Sequence, residues 1–410
     1  MSQPSIMMMG YNGANNTGAE ALLLADIQDV RAVLGPDALI TVPTLNPANL
    51  RRYLQESPTL RIEPMSPVFF ADLRRLVRRN DLIMLVEGST YMDTWTSALL
   101  WAYLWVTRCA EAAGKPCLAY AVDAGTLNWL DRWLVRREAS KTDLIVTRSE
   151  AAAERMRAWG VTAPLDSTAD NAFTFVPDPV DSGLLRRLWP EARAEIVGLC
   201  PVNFYLWPVV MRPWGRREYC YRWPYYFSHS AERSAATAAL TAGYANLADC
   251  LIREHGMSVA LICMEQVDEP LAREAHRLMA HADRARVFSS REYNASQMTS
   301  ILRDLDLLLT SRYHAAILSL AAQVPQIAVG HDLRLKSLYQ ELGLADDYFL
   351  DPHAGDVCAA ARDRVEWLLE DPMPMREKLA SGYEIHLARA RRNRDLLRSF
   401  VVAYGWEPVA

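Results

Sequence analysis

Cysteine is scarce in this chain, and its positions share no pattern. The 410 residues include seven cysteines, none of them in a CxxC pair or beside a group of histidines. An odd number of scattered cysteines argues against a disulfide framework and against a zinc site, and it favours the reducing cytosol. The sequence therefore predicts a cytoplasmic protein that holds no metal. The cysteines are Cys109, Cys117, Cys200, Cys220, Cys250, Cys263 and Cys358.

The chain also lacks an excess of positive charge and a long apolar run. Its formal net charge is -5, and the basic residues are interspersed with acidic ones, which argues against nucleic-acid binding driven by bulk charge. No basic segment precedes the short apolar run near the N-terminus, so the sequence predicts no signal peptide. The most apolar helical stretch, residues 97–106, is about half as long as a membrane span requires. We expect it to form a buried helix.

Two nucleotide-binding signatures, GxGxxG and the Walker A sequence, are missing as well. The chain does contain short apolar runs that alternate with helical patterns, which indicates parallel sheets covered by helices. One such series ends near residue 175, and a linker rich in Pro and Asp follows at 176–183. A second series begins at residue 195. The predicted fold is α/β, with two doubly wound, Rossmann-like domains that face a cleft.

The predicted boundaries follow from the two series. We expect an N-terminal α/β domain at residues 1–180, a C-terminal α/β domain at 190–370 and a helical segment at 371–410. A long helix is predicted from Ser230 to His255. The predicted strands lie within residues 5–10, 38–44, 81–88, 116–125, 143–149, 195–202, 258–265, 285–290, 306–311 and 326–330.

Glycine punctuates the loop between the first strand and its helix, at Gly10, Gly13 and Gly18. Asn16, with its neighbours at 15 and 17, can cap the start of that helix. A helix N-terminus after such a loop can hold an anion or a substrate hydroxyl. A tight structural turn needs the same glycines, so both interpretations stay open at this point.

Polar side chains follow the predicted strand at 81–88. Glu87, Ser89 and Asp93 lie at its carboxyl end, where a doubly wound sheet presents ligand-binding groups. The Asp93 carboxylate can deprotonate a hydroxyl, or it can cap the tryptophan-rich helix that follows.

Basic side chains stand at three further strand exits. Arg148 and Arg312 can hold a carboxylate or a phosphate with their planar guanidinium groups. His314, at the start of an apolar helix, can give and recover a proton near neutral pH. Lys336, beyond the next strand, can complete an anion pocket. Each of these residues also has an ordinary structural interpretation, such as a surface ion pair for Arg148 or an exposed helical lysine at 336.

Aromatic and arginine residues crowd one irregular segment, residues 204–227. Its pattern fits no amphipathic helix, so we expect an ordered loop at the cleft. Trp207, Arg217 and Trp223 are the candidates for binding a substrate, because rings stack on sugars and arginines bind phosphates. Packing within the loop or against a second copy of the chain is an equally open alternative.

The order of these segments resembles that of the polysaccharide pyruvyltransferase family. The resemblance runs from about residue 7 to about residue 350, and it is carried by several short segments in a shared order. They are the glycine loop with Asn16, Gly18, Glu20 and Ala21, the strand exit ending in Asp93, AGKP at 113–116, Arg148-Ser149, Gly160-Val161, TAD-AF at 168–173, R-x-H-A at 312–315, Val324-Pro325 and Lys336.

The resemblance implies a GT-B-like fold and the transfer of a pyruvyl group from phosphoenolpyruvate to a saccharide, without a cofactor. It implies that Arg148, Arg312 and Lys336 bind the donor, and that His314 is the general acid. The donor and a saccharide acceptor, free or linked to a nucleotide or lipid, are then the expected partners, and a homo-oligomer stays open.

The chain departs from the family pattern at Glu87-Gly88-Ser89, at Ala19 and at His331, where the family has three glycines, an aspartate and a tyrosine. These departures bear on the acceptor more than on the donor. Two other functions fit the residues: glycosyl transfer from a nucleotide sugar, or binding without catalysis on the same fold.

Overall fold

The computed structural model describes residues 4–193, 195–330, 332–351 and 357–409. Its first sheet is parallel, with seven strands in the order β3-β2-β1-β4-β5-β6-β7. These strands are β1 (Ser5–Met9), β2 (Leu39–Thr44), β3 (Leu60–Pro64), β4 (Leu82–Leu85), β5 (Cys117–Val122), β6 (Leu144–Thr147) and β7 (Leu165–Ser167). The helices between them are α1 (Thr17–Leu34), α2 (Pro47–Leu50), α3 (Phe70–Arg79), α4 (Ser97–Ala113), α5 (Trp129–Ala139) and α6 (Glu150–Ala158).

The second sheet is also parallel, and its six strands have the order β13-β12-β8-β14-β15-β16. They are β8 (Ile196–Cys200), β12 (Ser258–Cys263), β13 (Ala285–Ser289), β14 (Leu307–Thr310), β15 (Gln326–Val329) and β16 (Phe349–Leu350). The helices of this half are α7 (Leu184–Leu188), α8 (Ala231–His255), α9 (Glu269–Leu278), α10 (Ala295–Arg303), α11 (Tyr313–Leu320), α12 (Leu333–Glu341), α13 (Ala345–Tyr348) and α14 (Val357–Glu370). A final helix, α15, spans Met373–Ala403.

A small antiparallel sheet interrupts the second half between β8 and α8. Its strands are β9 (Val210–Met211), β10 (Cys220–Arg222) and β11 (Tyr225–Tyr226), and β11 lies in the middle. The sheet therefore falls within the segment that the sequence predicts as an ordered loop.

Both faces of the first sheet are buried, as expected of a parallel sheet covered by helices. Along β1, Ile6 and Met8 pack with α1 and α15, whereas Met7 and Met9 pack on the opposite side with α3 and α4. Side chains alternate between the faces of a strand, so a continuously apolar strand serves two cores.

The predicted fold class is confirmed, since two parallel, doubly wound sheets form the molecule. Every predicted strand overlaps an observed one, and the apolar stretch at 97–106 is part of α4. The sequence analysis missed β3, which carries charges at Arg61 and Glu63, and the short strands β7 and β16, which have three and two residues. The predicted domain boundaries stay predictions.

Helix α1 lies between the two halves and joins their cores. Leu23 packs in the core of the first sheet, and its neighbour Leu22 packs in the core of the second. The backbone N–H of Thr17 donates to the carbonyl of Met264 at 2.9 Å. These contacts hold the carboxyl ends of the two sheets against each other.

Helix α15 returns to the first half of the chain. Leu397, Phe400 and Val401 pack in the core of the first sheet. Arg394 Nε donates to Asp29 Oδ1 at 2.8 Å, and Asn393 Nδ2 donates to the carbonyl of Ala169 at 3.0 Å. The end of the chain is thus part of the N-terminal core.

Among the described residues, no helix combines the length and the apolar character needed to span a membrane. The six cysteines whose side chains are described are free thiols. The side chain of Cys358 lies outside the described part.

Replacing a core residue of α15 should destabilise the first domain. We expect Leu397→Ala to lower the free energy of unfolding by about 2–5 kcal/mol, because it leaves a cavity in a fully buried site. Chemical denaturation measures this loss. The control is Val402→Ala on the same helix, where the side chain is 54% exposed and the change should stay within about 0.5 kcal/mol. Equal losses for both variants would show that α15 does not support the core.

Candidate functional site

A cavity of about 230 Å³ lies between the two sheets, at the carboxyl ends of their strands. Ligands bind at this edge of doubly wound sheets, because the connecting loops and helix N-termini converge there. Residues from both halves of the chain line it. Its polar and charged lining includes Tyr11, Asn16, Glu87, Ser89, Arg155, Glu265, Arg312, His314, Asp332 and Arg334.

The start of α1 forms one wall of the cavity. Asn16 is the N-cap, and its side chain accepts a hydrogen bond from the backbone N–H of Ala19 at 3.1 Å. Gly18 leaves room for the imidazole of His314, since a Cβ there would lie 2.1 Å from His314 Nδ1. The glycine at 18 is therefore required by close approach of the other domain.

His314 and Asp170 form a pair across the domain boundary. His314 Nε2 lies 3.5 Å from Asp170 Oδ2, and the carboxylate is fully buried. Burial alone would raise the pKa of Asp170, but the charges of Arg148 and His314 outweigh it and hold that pKa below its usual range. An ionised carboxylate this close to the ring favours one orientation of the imidazole.

Glu87 is a buried carboxyl group that lines the same cavity. Burial raises its pKa, and the positive charges of His314 and Arg148 offset only part of that effect. Its Oε1 accepts a hydrogen bond from the backbone N–H of Ser89 at 3.2 Å. A carboxylate with a raised pKa is a better proton acceptor than one with an ordinary pKa.

Arg148 lies deeper than the sequence analysis expects. Its side chain is fully buried, with Nε 2.8 Å from Asp123 Oδ2 and Nη1 2.5 Å from Asp170 Oδ2. The guanidinium also stacks on the ring of Tyr313 at 4.4 Å, and a Cβ at Gly88 would collide with it. Two carboxylates already neutralise it and its side chain has no exposed surface, so the structure does not bring Arg148 to the surface of the cavity, and its predicted contact with the donor stays a prediction. In the structure, Arg148 positions Asp170.

Arg312 does face the cavity, and it too has acidic partners. Its guanidinium forms a bidentate pair with Asp268 and lies 3.0 Å from Glu265 Oε2. These negative charges raise the pKa of Arg312, so it keeps its charge although it is buried. Unlike Arg148, it retains some exposure to the cavity.

Arg334, which the sequence analysis missed, lines the cavity, whereas Lys336 does not. Arg334 Nη1 donates to Ser89 Oγ at 3.2 Å across the cleft, and Nη2 lies 2.5 Å from Asp332 Oδ2. The charge of Arg334 outweighs burial and lowers the pKa of Asp332 to about 2. Lys336 is exposed two positions further along α12, about 200° around the helix, and it does not line the cavity. His331 lies outside the described residues.

Asp93 is turned away from the cavity as well. Its Oδ2 accepts hydrogen bonds at 2.7 Å from both the backbone N–H and the side-chain Nδ2 of Asn128, the N-cap of α5. The N-cap of α4 is Thr96 rather than Asp93. The alternative in which Asp93 caps α4 is therefore wrong, and its role as a base stays a prediction. In the structure, Asp93 ties the strand exit to the start of α5.

The segment 204–227 faces two ways. Trp207 lines the cavity and packs edge-on against Trp95, with ring centroids 5.8 Å apart. Arg217 and Trp223 are exposed and line neither this cavity nor the one that adjoins it. They lie between the strands of the small sheet, Arg217 before β10 and Trp223 between β10 and β11. Their predicted contact with substrate stays a prediction.

A second cavity of about 290 Å³ adjoins the first. The two share Tyr11, Trp95, Thr96 and Leu99. Its wall is mainly apolar and comes from α4, the start of α3 and the small sheet, including Met65, Phe69, Ala98, Val209, Tyr221 and Tyr225.

The residues that were missed had a signal in the sequence. Asp123, Glu265 and Asp332 each follow a strand, as the predicted residues do, and Asp170 falls within the TAD-AF segment. Sequence reasoning favoured the cations because an anionic ligand was expected. The carboxylates that hold those cations were overlooked.

Replacing Arg148 should act mainly on stability. We expect Arg148→Met to lower the free energy of unfolding by about 3–5 kcal/mol, because it leaves Asp123 and Asp170 buried without their cation. Arg155→Met is the control, since Arg155 lies 3.5 Å from the same Asp123 but is partly exposed. Chemical denaturation compares the two. A loss for Arg148→Met no larger than for the control would contradict the positioning role.

Solved structures share the fold at low sequence identity. HepE from Anabaena, in complex with UDP-glucose, has a TM-score of 0.61 at 12% identity, over 98% of this chain and all of that chain. A UDP-GlcNAc 2-epimerase from Neisseria meningitidis, bound to UDP-GlcNAc, has a TM-score of 0.60 at 9% identity, over 96% and 99% of the two chains. A trehalose-phosphate synthase from Burkholderia vietnamiensis has a TM-score of 0.55 at 11% identity, over 98% of this chain and 99% of that chain. These likenesses establish a GT-B-like fold.

Sequence comparison is more specific about the family. A search of curated proteins found no match. A sequence model described as polysaccharide pyruvyl transferase matches residues 16–332, a range that begins at the N-cap of α1 and includes His314 and Arg312. That range covers 317 of the 410 residues. The chain therefore belongs to the polysaccharide pyruvyl transferase family and is a transferase enzyme.

Proposed function

We propose that the enzyme transfers a pyruvyl group from phosphoenolpyruvate to two hydroxyls of a saccharide, which gives a cyclic ketal and inorganic phosphate. The observation that carries this proposal is His314, which lies beside the buried Asp170 and lines a cavity that partly exposed arginines also line. An anionic donor bound by these arginines would lie beside a proton donor.

The donor carries a phosphate and a carboxylate, and three arginines suit it. Arg155, Arg312 and Arg334 keep side-chain exposures of 27%, 16% and 24%, whereas Arg148 has none. Planar guanidinium groups bind such oxyanions with paired hydrogen bonds. In this proposal Arg312 and Arg334 bind the donor, with Arg334 in the role that the resemblance implies for Lys336.

Proton transfer starts the proposed reaction. His314 gives its proton to the methylene carbon of the donor, which becomes a methyl group and leaves a cationic centre at C2. The first acceptor hydroxyl attacks C2, and its proton passes through Glu87 to the departing phosphate as the bond from C2 to the phosphate oxygen breaks, which makes C2 cationic again. Attack by the second hydroxyl closes the ketal, and its proton restores the imidazolium. The steps use only the two substrates and the protein's own residues.

Glu87 is the group we assign to the acceptor. Its buried carboxylate lies at the first domain's side of the cavity, beside Ser89 and near Asn16. With its pKa raised by burial, it is suited to take the proton of the attacking hydroxyl. Trp207 offers a ring on which a sugar can stack.

Incubation with phosphoenolpyruvate and a panel of saccharides tests the proposal, with phosphate release and the mass of the product as readouts. Phosphate release coupled to a pyruvylated product supports it. Binding of a nucleotide sugar together with indifference to phosphoenolpyruvate would overturn it in favour of glycosyl transfer.

His314→Gln should lose turnover and keep the fold. A general acid contributes about 10²–10⁴-fold, so we expect kcat to fall by at least 100-fold. His276→Gln is the control, because His276 is partly buried at the carbonyl of Ala285 and does not line the cavity. A His314→Gln enzyme with wild-type kcat would remove the assigned acid.

Arg334 and Lys336 provide a matched pair for the donor site. We expect Arg334→Gln to raise the KM for phosphoenolpyruvate by roughly 10–100-fold, since a hydrogen bond to a charged group contributes about 1.5–3 kcal/mol. Lys336→Gln, with its exposed side chain, should leave KM unchanged. If Lys336→Gln raised KM and Arg334→Gln did not, the assignment of the two residues would be reversed.

A further inference from the structure

Large apolar side chains are exposed along one side of the first domain. On α5, Trp129 is 80% exposed and Trp133, one turn later, is 51% exposed. Residues four apart lie on the same face of a helix, so the two indole rings point outward together. Leu130 on α5, and Val68 and Phe70 at the start of α3, are exposed as well. Single exposed apolar residues are ordinary, but a group of this size marks an interaction surface.

On these helices most positive charges are exposed, whereas most negative charges are partly or fully buried. α4 packs between α3 and α5. Together these three helices carry eight arginines and four carboxylates, although the whole chain has a net charge of -5. Seven of the eight arginines are exposed, but only one of the four carboxylates is, namely Glu111. Asp131 and Glu138 are buried and accept bonds from Trp101 and Arg108. The outer surface is thus positive and aromatic.

The small sheet extends this surface from the second half of the chain. The hydroxyl of Tyr225 donates to the carbonyl of Pro67 at 2.7 Å, directly before Val68 and Phe70. Most of the outward residues of the segment are of the same two kinds, apolar and basic: Val210, Met211, Trp214, Arg216, Arg217 and Trp223. The segment also exposes one carboxylate, Glu218, which pairs with Arg216 at 3.5 Å.

We infer that this arginine–tryptophan face, formed by the outer sides of α3, α4, α5 and the small sheet, binds the surface of an anionic lipid bilayer. Tryptophan prefers the boundary between lipid headgroups and acyl chains, where the ring is buried and its N–H stays hydrated. Each arginine near an anionic bilayer adds an electrostatic attraction to the lipid headgroups. The negative charge of the rest of the molecule is unfavourable near such a bilayer, so this face would turn toward it.

The face also borders both cavities. Asn128, the N-cap of α5, follows Thr126 of the first cavity, and Phe69, beside Phe70, lines the second. Binding at the bilayer through this face is independent of the reaction assigned to the cavity.

Co-sedimentation of the full chain with vesicles tests the inference. We expect binding to vesicles of equimolar phosphatidylcholine and phosphatidylglycerol, and at least tenfold weaker partition onto phosphatidylcholine alone. Binding should also weaken at least tenfold in 1 M salt, where the Debye length falls to about 3 Å. The double variant Trp129→Ser/Trp133→Ser, and separately Arg132→Glu/Arg136→Glu, should reduce partition at least tenfold while the melting temperature and turnover of a soluble acceptor are unchanged.

A matched control comes from the other domain. Trp367 on α14 is 47% exposed and stacks under Arg364, much as Trp133 lies under Arg137. Trp367→Ser should bind the anionic vesicles like the wild type. The inference is overturned if the wild type stays in the supernatant, or if Trp367→Ser and the α5 double variant lose the same amount of binding. It is also overturned if the α5 variant only converts an oligomer to a monomer in light scattering, since the face would then bind a second copy.

Discussion

The site depends on one buried carboxylate that contacts basic side chains from both domains. Asp170 lies 2.5 Å from Arg148 of the first domain and 3.5 Å from His314 of the second. An isolated carboxylate in this place would be costly to bury, and Arg148 is what keeps it ionised. The buried Arg148–Asp170 ion pair, which does not line the cavity, therefore helps to position His314.

Acidic partners and remaining exposure together decide which arginines can contact a ligand. Arg148 is neutralised on two sides, by Asp123 and Asp170, and retains no exposed surface. Arg312 and Arg334 have acidic partners of their own and still expose part of the guanidinium group. Such partners keep the cations charged and oriented before any ligand arrives, which reduces the reorganisation that binding requires.

Much of this architecture was predictable from the sequence, because the periodicity of apolar residues reports directly on helices and strands. The two sheets, the cap at Asn16, the long helix from about Ser230, and the placement of Arg312 and His314 at a strand exit all follow from local patterns. The burial of individual side chains, and the direction in which they point, could not be predicted from local patterns. Whether Arg148 is open or buried depends on Asp123 and Asp170, which are distant in sequence, and whether residue 334 or 336 faces the cavity depends on the phase of α12. The exposure of Arg217 and Trp223 could not be predicted for the same reason, since the turns of the small sheet set their direction.

The central claim is that the enzyme protonates the methylene carbon of phosphoenolpyruvate on the way to a ketal. Running the reaction in heavy water, with analysis of the product by NMR and mass spectrometry, tests this directly. The account predicts one deuterium in the methyl group of the transferred pyruvyl unit. A product that retains the methylene group, or a sugar product that contains no carbon from phosphoenolpyruvate, would contradict it.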